Sequence, residues 1–288
     1  MEKILILGAN GQLGSEFRYL SKWYSKFSFT FAGKNDIDIT DFDKTKEFIE
    51  SNNFTIIINC AAYTNVDKAE IEFEYAKMVN YKAVENLGKI AYDNDIKFIH
   101  ISTDYVFDGN HCAPYCEFDQ ISPINKYGLS KSMGEQILIN MKIKKCVIIR
   151  TSWLYGYYGK NFIYAILNAI KNRDSLSVVF DQLGTPTNSK DLATAILNII
   201  PLIDNNQPEI YHYSNEGVAS WYDFANAIVD ISKVKCQIFP IESKDYPTTA
   251  IRPLYCVLNK SKIKQDFNII IPYWRDSLIN FINNIKGV

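Results

Sequence analysis

Short runs of apolar residues alternate, along the first half of the chain, with longer stretches that have apolar side chains at helical spacing. The apolar runs, each short enough for a buried strand, are residues 4–7, 27–31, 55–60, 97–102 and 147–149. The helical stretches are residues 15–26, 41–50 and 66–94, with a further helix beginning near residue 126. Buried strands that alternate with helices predict a doubly wound parallel sheet, a Rossmann-like α/β fold.

The alternation loosens after residue 150. The pattern predicts a helix over residues 162–170, a loop through 186, a helix over 191–200, a strand over 209–214 and a Ser-capped helix over 220–231. We expect the segment of about 185–215 to return to the sheet. The rest of residues 151–288, including the region around Arg252, should form a smaller substrate lobe, in which Arg252 could meet a diphosphate or form a surface ion pair.

A glycine-rich turn joins the first strand to the first helix. Gly8, Gly11 and Gly14 form the spacing G-x-x-G-x-x-G, a variant of the dinucleotide-binding fingerprint. Small residues let the backbone approach a pyrophosphate, and the positive end of the following helix stabilises its charge. We therefore interpret residues 1–150 as a dinucleotide-binding domain.

The end of the second predicted strand bears on the choice of cofactor. Lys34 stands where an acidic residue would hold the ribose 2′-hydroxyl of NAD, and a lysine there favours the 2′-phosphate of NADP. Asp36 or Asp38 could still reach the ribose, so NADH remains an alternative to NADPH. Residues 61–64 leave the carboxyl end of the third strand, where ligands of open α/β sheets bind, and should cover the cofactor.

Tyr127 and Lys131 lie four residues apart at the start of a predicted helix, so they share one face. Of the 19 tyrosines, Tyr127 is the one with a lysine four residues further on. A nearby cation favours the phenolate and lowers a tyrosine pKa, which would make Tyr127 an acid or base. The alternative is a surface pair on an amphipathic helix.

Thr103 and Asp104 directly follow the fourth strand. A hydroxyl at that position, across a crevice from Tyr127, could hydrogen-bond a substrate carbonyl or hydroxyl. The alternative is a Thr-Asp pair that closes a strand-to-loop turn.

Composition narrows the class of protein. The chain has 288 residues, is 47% hydrophobic and carries a formal charge of -1, so no global field recruits nucleic acid or an anionic membrane. The six cysteines show no zinc spacing, and we expect free thiols and no metal site. The apolar start is too short for a signal sequence, which favours a cytoplasmic protein.

Several sequence blocks resemble the extended short-chain dehydrogenases and, within that superfamily, the dTDP-4-dehydrorhamnose reductase family. The blocks are residues 8–14, 59–70, 101–109, 127–131, 150–156, 159–162, 179–187, 211–215, 220–224 and 246–253. They span nearly the whole chain. The glycine loop and the Tyr/Lys pair are general to the superfamily, whereas residues 66–70, 152–153 and 181–187 are more particular.

The resemblance implies NAD(P)H-dependent reduction of the 4-keto group of dTDP-4-dehydro-β-L-rhamnose, the last step of dTDP-rhamnose synthesis for surface polysaccharide. By that analogy Tyr127 donates the proton, Lys131 lowers its pKa and holds the nicotinamide ribose, and Thr103 fixes the sugar oxygen. The implied cofactor contacts are Gly8, Asn10, Gly11, Gln12, Leu13, Gly14, Lys34, Asp38, Ile39, Ala61, Ala62, Tyr63, Thr64, Tyr127 and Lys131. The implied substrate contacts are Thr103, Asp104, Tyr127 and Trp153, and Trp153 has a packing role as its alternative.

Two other classes of function stay open from sequence. One is an epimerase or dehydratase of the same fold acting on a nucleotide sugar, although dehydratases usually place a glutamate after the aspartate, where this chain has Tyr105. The other is a nucleotide-sensing regulatory subunit, against which the intact set of Thr103, Tyr127 and Lys131 argues. The expected partner is a dTDP-sugar, and the chain could be a monomer or a homodimer.

Overall fold

The computed structural model describes residues 1–286, and its centre is a six-stranded parallel sheet. The strands are β1 (Glu2–Leu7), β2 (Phe27–Ala32), β3 (Ile56–Asn59), β4 (Lys97–Thr103), β5 (Cys146–Thr151) and β10 (Glu209–His212), in the order β10-β5-β4-β3-β1-β2. Each neighbouring pair is parallel. The predicted Rossmann-like fold is confirmed.

Helices cover both faces of this sheet because alternate strand residues point to opposite sides. One face buries Ile4, Ile6 and Ile58 under α1 (Gln12–Leu20) and α8 (Ser189–Ile199). The other buries Leu5 and Ile57 among apolar residues of α2 (Phe42–Asn52), α5 (Ala83–Asp93) and α6 (Lys126–Asn140). The predicted helix over 66–94 divides into α3 (Val66–Ala69), α4 (Phe73–Lys77), a π-helical segment (Met78–Lys82) and α5.

The chain reverses direction across the sheet between β1 and β3, which creates a crevice at their carboxyl ends. Gly8 and Ala61 meet in this crevice. A Cβ on Gly8 would lie 2.6 Å from the Ala61 backbone nitrogen, and the Gly8 φ of +71° is a conformation that favours glycine. Two loops predicted to bind one ligand are therefore adjacent.

The second half of the chain contributes to both the sheet and a separate lobe. The lobe core joins apolar residues of α7 (Phe162–Ala169), α9 (Trp221–Ser232) and α11 (Trp274–Lys286) to β7 (Ser175–Val179) and β12 (Gln237–Ile241). The segment containing α8 and β10 lies against the sheet. So does α10 (Ser261–Phe267), whose Ile263 is buried in the same core, a return that the sequence pattern did not predict. The division into cofactor and sugar lobes stays a prediction.

The predicted loop through Pro186 is wrong. Residues in that interval form β7 and β8 (Leu183–Gly184). β7 pairs in parallel with β12, and β8 pairs antiparallel with β11 (Ala219–Ser220), so both partners are distant in sequence. These residues form strands because of their pairing with distant segments, and the local sequence of a short segment that contains serines does not predict such pairing. The remaining short strands, β6 (Leu154–Tyr155) and β9 (Thr187–Asn188), pair with one another.

A buried ion pair fixes α6 to the sheet. Arg150 of β5 donates to Glu135 of α6 through Nη2 at 2.7 Å and Nε at 3.0 Å, and the two side chains are 2% and 0% exposed. The Arg150 Nη1 also donates to the Glu117 carbonyl and approaches His212 Nε2 at 3.3 Å. The helix that carries Tyr127 and Lys131 is thus registered against β5 and β10.

Replacing Glu135 with Ala should lower the free energy of unfolding by about 3 to 5 kcal/mol, since it leaves the buried Arg150 charge uncompensated. Urea denaturation followed by circular dichroism measures the change. The matched control is Glu74→Ala, which breaks an ion pair between Glu74 and Lys77. The Glu74 side chain is 81% exposed. That change should cost less than about 1 kcal/mol. Equal losses for the two variants would contradict the structural role given to Glu135.

Candidate active site

The glycine loop forms one wall of a cavity of about 300 Å³ at the carboxyl ends of β1, β2 and β3. Nine of the predicted cofactor residues line it: Gly8, Asn10, Gly11, Lys34, Asp38, Ile39, Ala61, Ala62 and Tyr63. Gly33 also lines it, and its missing side chain accommodates Asn10, whose Nδ2 would lie 2.2 Å from an added Cβ. No sequence motif predicted a role for Gly33.

The backbone N–H groups at the N-terminus of α1 have no side-chain hydrogen-bond acceptor from the N-cap residue. Its N-cap residue is Gly11, and within residues 1–286 no side chain caps this helix. By contrast, side chains of Asp41, Asn125 and Ser220 cap α2, α6 and α9. The helix begins at Gln12, three residues earlier than the periodicity predicts, so these donors lie in the glycine loop itself. The exposed positive end of α1 fits a pyrophosphate.

Lys34 and Asp38 stand together at the outer rim of this cavity. Lys34 Nζ lies 3.6 Å from Asp38 Oδ2 and donates to the Tyr75 hydroxyl at 2.8 Å. The Asp38 carboxylate accepts from the Thr40 hydroxyl and backbone N–H, and these hydrogen bonds lower its pKa. Lys34 is 67% exposed and positively charged, so it can meet an anionic group entering here.

The loop after β3 is held by Asn80, which lies in the π-helical segment between α4 and α5. Asn80 exchanges two hydrogen bonds with the Tyr63 backbone, both 2.9 Å long, and donates to Ser130 of α6 at 2.9 Å. This side chain is 1% exposed. It therefore links the cofactor-side loop to the helix that carries Tyr127 and Lys131, and it was missed because no sequence motif contains it.

A second, larger cavity of about 660 Å³ adjoins the first and shares Gly11, Cys60 and Ala62 with it. The remaining predicted site residues line this cavity: Gln12, Leu13, Gly14, Thr64, Thr103, Asp104, Tyr127, Lys131 and Trp153. All the predicted residues are thus brought to two adjoining cavities. Within residues 1–286, no group of three or more His, Cys, Asp or Glu could hold a metal ion.

Tyr127 reaches this cavity because α6 approaches the loop after β4 unusually closely. A Cβ on Gly128 would lie 2.1 Å from the Tyr105 carbonyl oxygen, so a side chain larger than hydrogen would displace the helix. The Asn125 side chain caps α6 by accepting from Gly128 N–H at 2.8 Å. Tyr127 is thereby placed beside Thr103 and packs edge-on against Tyr105.

The expectation that Lys131 lowers the Tyr127 pKa is wrong for this structure. Burial raises the pKa of Tyr127 to about 12, and the Asp104 charge acts in the same direction. A hydrogen bond with Thr103 opposes them without reversing the shift. The spacing of four residues puts the two side chains on one face, but it does not make Lys131 Nζ a partner of Tyr127.

The Lys131 ammonium is directed into the sheet instead. Its Nζ donates to the Ile101 carbonyl at 2.6 Å and lies 3.3 Å from His100 Nε2. The residue is 1% exposed, and this burial lowers the pKa of Lys131 to about 8. Glu135 opposes the shift. Lys131 can therefore gain and lose a proton near neutral pH.

Asp104 is a buried carboxyl group with unused hydrogen-bonding capacity. Its Oδ1 accepts from the Thr103 hydroxyl at 3.0 Å, whereas Oδ2 has no partner among the described residues. Burial raises the pKa of Asp104 to about 7, although the hydrogen bond from Thr103 favours the carboxylate. A ligand hydroxyl could satisfy Oδ2.

Trp153 and Trp221 form a stacked pair on the far wall of the second cavity. Their ring centroids are 3.6 Å apart and the planes differ by 10°. Trp153 adopts a φ of +46°, and Gly184 leaves the space for its indole. Trp221 also lines a third cavity of about 460 Å³ that holds Asp67 and Arg252. The sequence identified Trp153 as a candidate but placed Trp221 merely at the start of a helix.

Arg252 forms an ion pair with Asp67 in that third cavity. Its Nη2 donates to Asp67 Oδ2 at 2.7 Å and its Nη1 donates to Oδ1 at 3.2 Å. The sequence left Arg252 as either a diphosphate contact or an ion pair. The ion pair is present, and it joins the segment after β3 to the C-terminal lobe.

Comparison with known proteins places the chain in a family. The family model described as RmlD substrate binding domain matches residues 1–286. The chain is 40% identical over 289 residues to a dTDP-4-dehydrorhamnose reductase of Aggregatibacter actinomycetemcomitans, across 97% of this chain and 98% of the relative. The chain belongs to the dTDP-4-dehydrorhamnose reductase family. The resemblance inferred from the motifs is confirmed.

Two further members of the comparison support this placement. A spore coat polysaccharide biosynthesis protein, SpsK of Bacillus subtilis, is 37% identical across 98% of this chain and 97% of its own length. A crystal structure of dTDP-4-dehydrorhamnose reductase from Bacillus anthracis, in complex with NADP, is 35% identical with a TM-score of 0.92. The match covers 98% of this chain and 99% of the Bacillus anthracis chain.

Replacing Gly184 with Ala should displace the stacked tryptophans, because the added Cβ would lie 2.7 Å from the Trp153 indole. We expect the indole N–H resonances of Trp153 and Trp221 to shift in ¹H–¹⁵N spectra. The free energy of unfolding should fall by about 1 to 3 kcal/mol through overpacking. Trp23, which is 58% exposed, serves as an internal reference that should not move. Unshifted Trp153 and Trp221 signals would show that the stack does not depend on Gly184.

Proposed function

We propose that this member of the dTDP-4-dehydrorhamnose reductase family reduces the 4-keto group of dTDP-4-dehydro-β-L-rhamnose with NADPH and forms dTDP-β-L-rhamnose. The observation that carries the proposal is the placement of Thr103, Tyr127 and Lys131 in one cavity that adjoins the glycine-loop cavity and shares three lining residues with it. A ketone held in the second cavity can meet a nicotinamide that enters from the first.

The residues around the glycine loop fit a dinucleotide. The uncapped N-terminus of α1 supplies N–H donors for the pyrophosphate, and the absence of a side chain on Gly11 lets it come close. Lys34 is positioned for a 2′-phosphate at the rim. When bound, NADPH supplies a hydride to C4 of the sugar and leaves as NADP⁺. The Bacillus anthracis relative in complex with NADP supports this choice of cofactor.

Tyr127 is the proposed proton donor. Hydride addition turns the C4 carbonyl into an alkoxide, which needs a proton from a group within hydrogen-bond reach. Tyr127 remains protonated at neutral pH because its pKa is about 12, so it enters the reaction with its proton. Thr103 lies beside it and can hold the same oxygen. The O–H bond of Tyr127 breaks as the sugar hydroxyl forms.

In the proposed binding position, the substrate extends from Tyr127 along the stacked Trp153 and Trp221. Asp104 Oδ2, which lacks a partner among the described residues, can accept from a sugar hydroxyl. The stacked Trp153 and Trp221 offer an aromatic surface for the sugar or base. The third cavity continues from Trp221 and is walled by apolar side chains of α7 and β7, which suits the thymine.

The cellular role that we propose is synthesis of an activated deoxysugar for polysaccharide in the cytoplasm. The relative named for spore coat polysaccharide biosynthesis supports the first part. Within residues 1–286 there is no helix that is both long and apolar enough to cross a membrane.

The direct test of the reaction is oxidation of NADPH, followed at about 340 nm, with enzymatically generated dTDP-4-dehydrorhamnose and identification of the product by NMR. We expect dTDP-L-rhamnose. A second reaction uses dTDP-4-keto-6-deoxy-D-glucose, which differs from the proposed substrate in configuration at ring carbons. Comparing the two rates tests which sugar the protein prefers. Faster turnover of that second ketone, or no turnover of either by the folded protein, would refute the proposed substrate.

Replacing Tyr127 with Phe should lower kcat by at least about 100-fold, because the variant keeps the ring and loses the proton. Affinity for NADPH, measured by fluorescence titration, should stay nearly unchanged. The control is Tyr105→Phe, which alters the neighbouring tyrosine of the same cavity and should retain kcat within about tenfold. Full turnover by Tyr127→Phe would exclude Tyr127 as the donor.

Replacing Lys34 with Ala should weaken NADPH binding by about tenfold and leave NADH binding nearly unchanged, since the lost cation would face the 2′-phosphate. Isothermal titration with each cofactor measures both affinities. Lys44→Ala removes another exposed lysine, paired with Asp41 and outside the cavity, and should alter neither. An equal loss for NADPH and NADH would assign Lys34 to a part of the cofactor common to both.

A further inference from the structure

Two histidines are fully buried beside the site, and their surroundings differ in an informative way. A neutral imidazole has one N–H and one lone pair, so it needs one acceptor and one donor as neighbours. His212 has both: Arg150 donates toward its Nε2 at 3.3 Å, and the Tyr115 carbonyl accepts from its Nδ1 at 3.1 Å. The ring is neutral, because burial keeps the pKa of His212 well below its usual range.

His100 has a donor at each nitrogen instead. Its Nδ1 lies 3.2 Å from Asn59 Nδ2, and its Nε2 lies 3.3 Å from Lys131 Nζ. The Asn59 amide cannot be reversed, because its Oδ1 accepts from the Ala61 backbone N–H at 3.1 Å. Asn59 therefore donates to Nδ1, and the single ring proton of His100 resides on Nε2, facing Lys131.

When Lys131 is an ammonium ion, an N–H of Lys131 and the N–H of His100 Nε2 face each other without an acceptor between them. An ammonium group has three N–H donors and no lone pair, so it cannot accept from the His100 Nε2–H. The amine form has a lone pair for that bond and can still donate to the Ile101 carbonyl at 2.6 Å. Burial lowers the pKa of both His100 and Lys131, in the direction that relieves the conflict.

We propose that His100 is a positioning residue for Lys131: with Asn59, it accommodates the amine form of Lys131 and so controls whether this side chain carries a positive charge in the cavity that Tyr127 also lines. The catalytic meaning of this role rests on the proposed function. The ammonium form offers a charged N–H donor to a ligand group in that cavity, in addition to the one that it donates to the Ile101 carbonyl. The amine form accepts from His100 Nε2–H and offers only neutral donors.

Three other titratable groups lie near Lys131 and bear on how its titration can be measured. Glu135 lies on the same helix and is paired with Arg150, and its charge favours the ammonium. Cys60 lies at the end of β3, where burial raises its pKa and keeps the thiol neutral. Asp104 lies in the same cavity with a pKa of about 7. Because Asp104 also titrates, an activity profile alone would not isolate Lys131, so a signal from Lys131 itself is needed.

The experiment follows the ¹³C-labelled ε-methylene of Lys131 in the intact protein by NMR, assigned by its loss in Lys131→Met. The pH is varied from about 6 to about 10.5. We expect a midpoint of about 8 in the unaltered protein. His100→Gln should raise it by at least about one unit, a tenfold gain in proton affinity, because an amide oxygen can accept from the ammonium.

The matched control is His212→Gln, which removes the other buried histidine, keeps an amide oxygen that can accept from Arg150, and should leave the Lys131 midpoint in place in the folded protein. Asn59→Ala provides a second variant that serves if His100→Gln does not fold. It removes the donor at Nδ1, lets the ring proton move there and should also raise the midpoint. A wild-type midpoint in folded His100→Gln or in folded Asn59→Ala would overturn the proposal.

The same variants separate this inference from the proposed function. In the reductase assay, the rate should fall as pH rises through the Lys131 midpoint, because the ammonium present below that pH is the stronger donor to the bound ligand. The fall should move upward with the midpoint in His100→Gln. A midpoint that moves by NMR, in a protein without reductase activity, would uphold the His100–Lys131 coupling and refute the proposed reaction alone.

Discussion

The buried contact between Glu135 and Arg150 is the constraint on which the geometry of the site depends. Two charges removed from water are tolerated when each is neutralised in good geometry, and a shift of α6 along the sheet would leave both unpaired. The guanidinium is also held from the side of β10 by His212. The helix therefore has one register, in which Lys131, one turn before Glu135, reaches the carbonyl of Ile101.

Polar groups without partners are found at the crevice as well as at a few other buried positions among the described residues, such as Ser232 and Trp274. The helices α2, α6, α8 and α9 each have a side-chain cap, whereas α1 presents open donors to the glycine-loop cavity. Asp104 Oδ2 has no partner among the described residues, and His100 faces a donor at each ring nitrogen. Local violations of this kind concentrate where a protein binds or reacts with a ligand, and the well-packed sheet supplies the stability that they cost.

The sequence predicts the parts of this architecture that are encoded by short-range patterns. Apolar runs locate the sheet strands, and because the carboxyl ends of parallel strands share one edge, they bring Gly8, Ala61 and Thr103 together. Pairings between distant segments are not encoded in this way, so β7, Trp221 and the third cavity were not predicted. The contacts of Lys131 likewise depend on where β4 lies relative to α6, which a spacing of four residues cannot specify.

Burial shifts the pKa values of Tyr127 and Lys131 in opposite directions. Tyr127 is a weak acid in this structure, with a pKa of about 12, which suits transfer to an alkoxide, a base stronger than a phenolate. The phenolate that results is disfavoured by burial and by the Asp104 charge. Lys131 shifts the other way, because its charged form is the protonated one, and its pKa of about 8 lets it gain or lose a proton near neutral pH. The proposed donor thus keeps its proton at neutral pH, while the charge of Lys131 is set separately by its own contacts with Ile101 and His100.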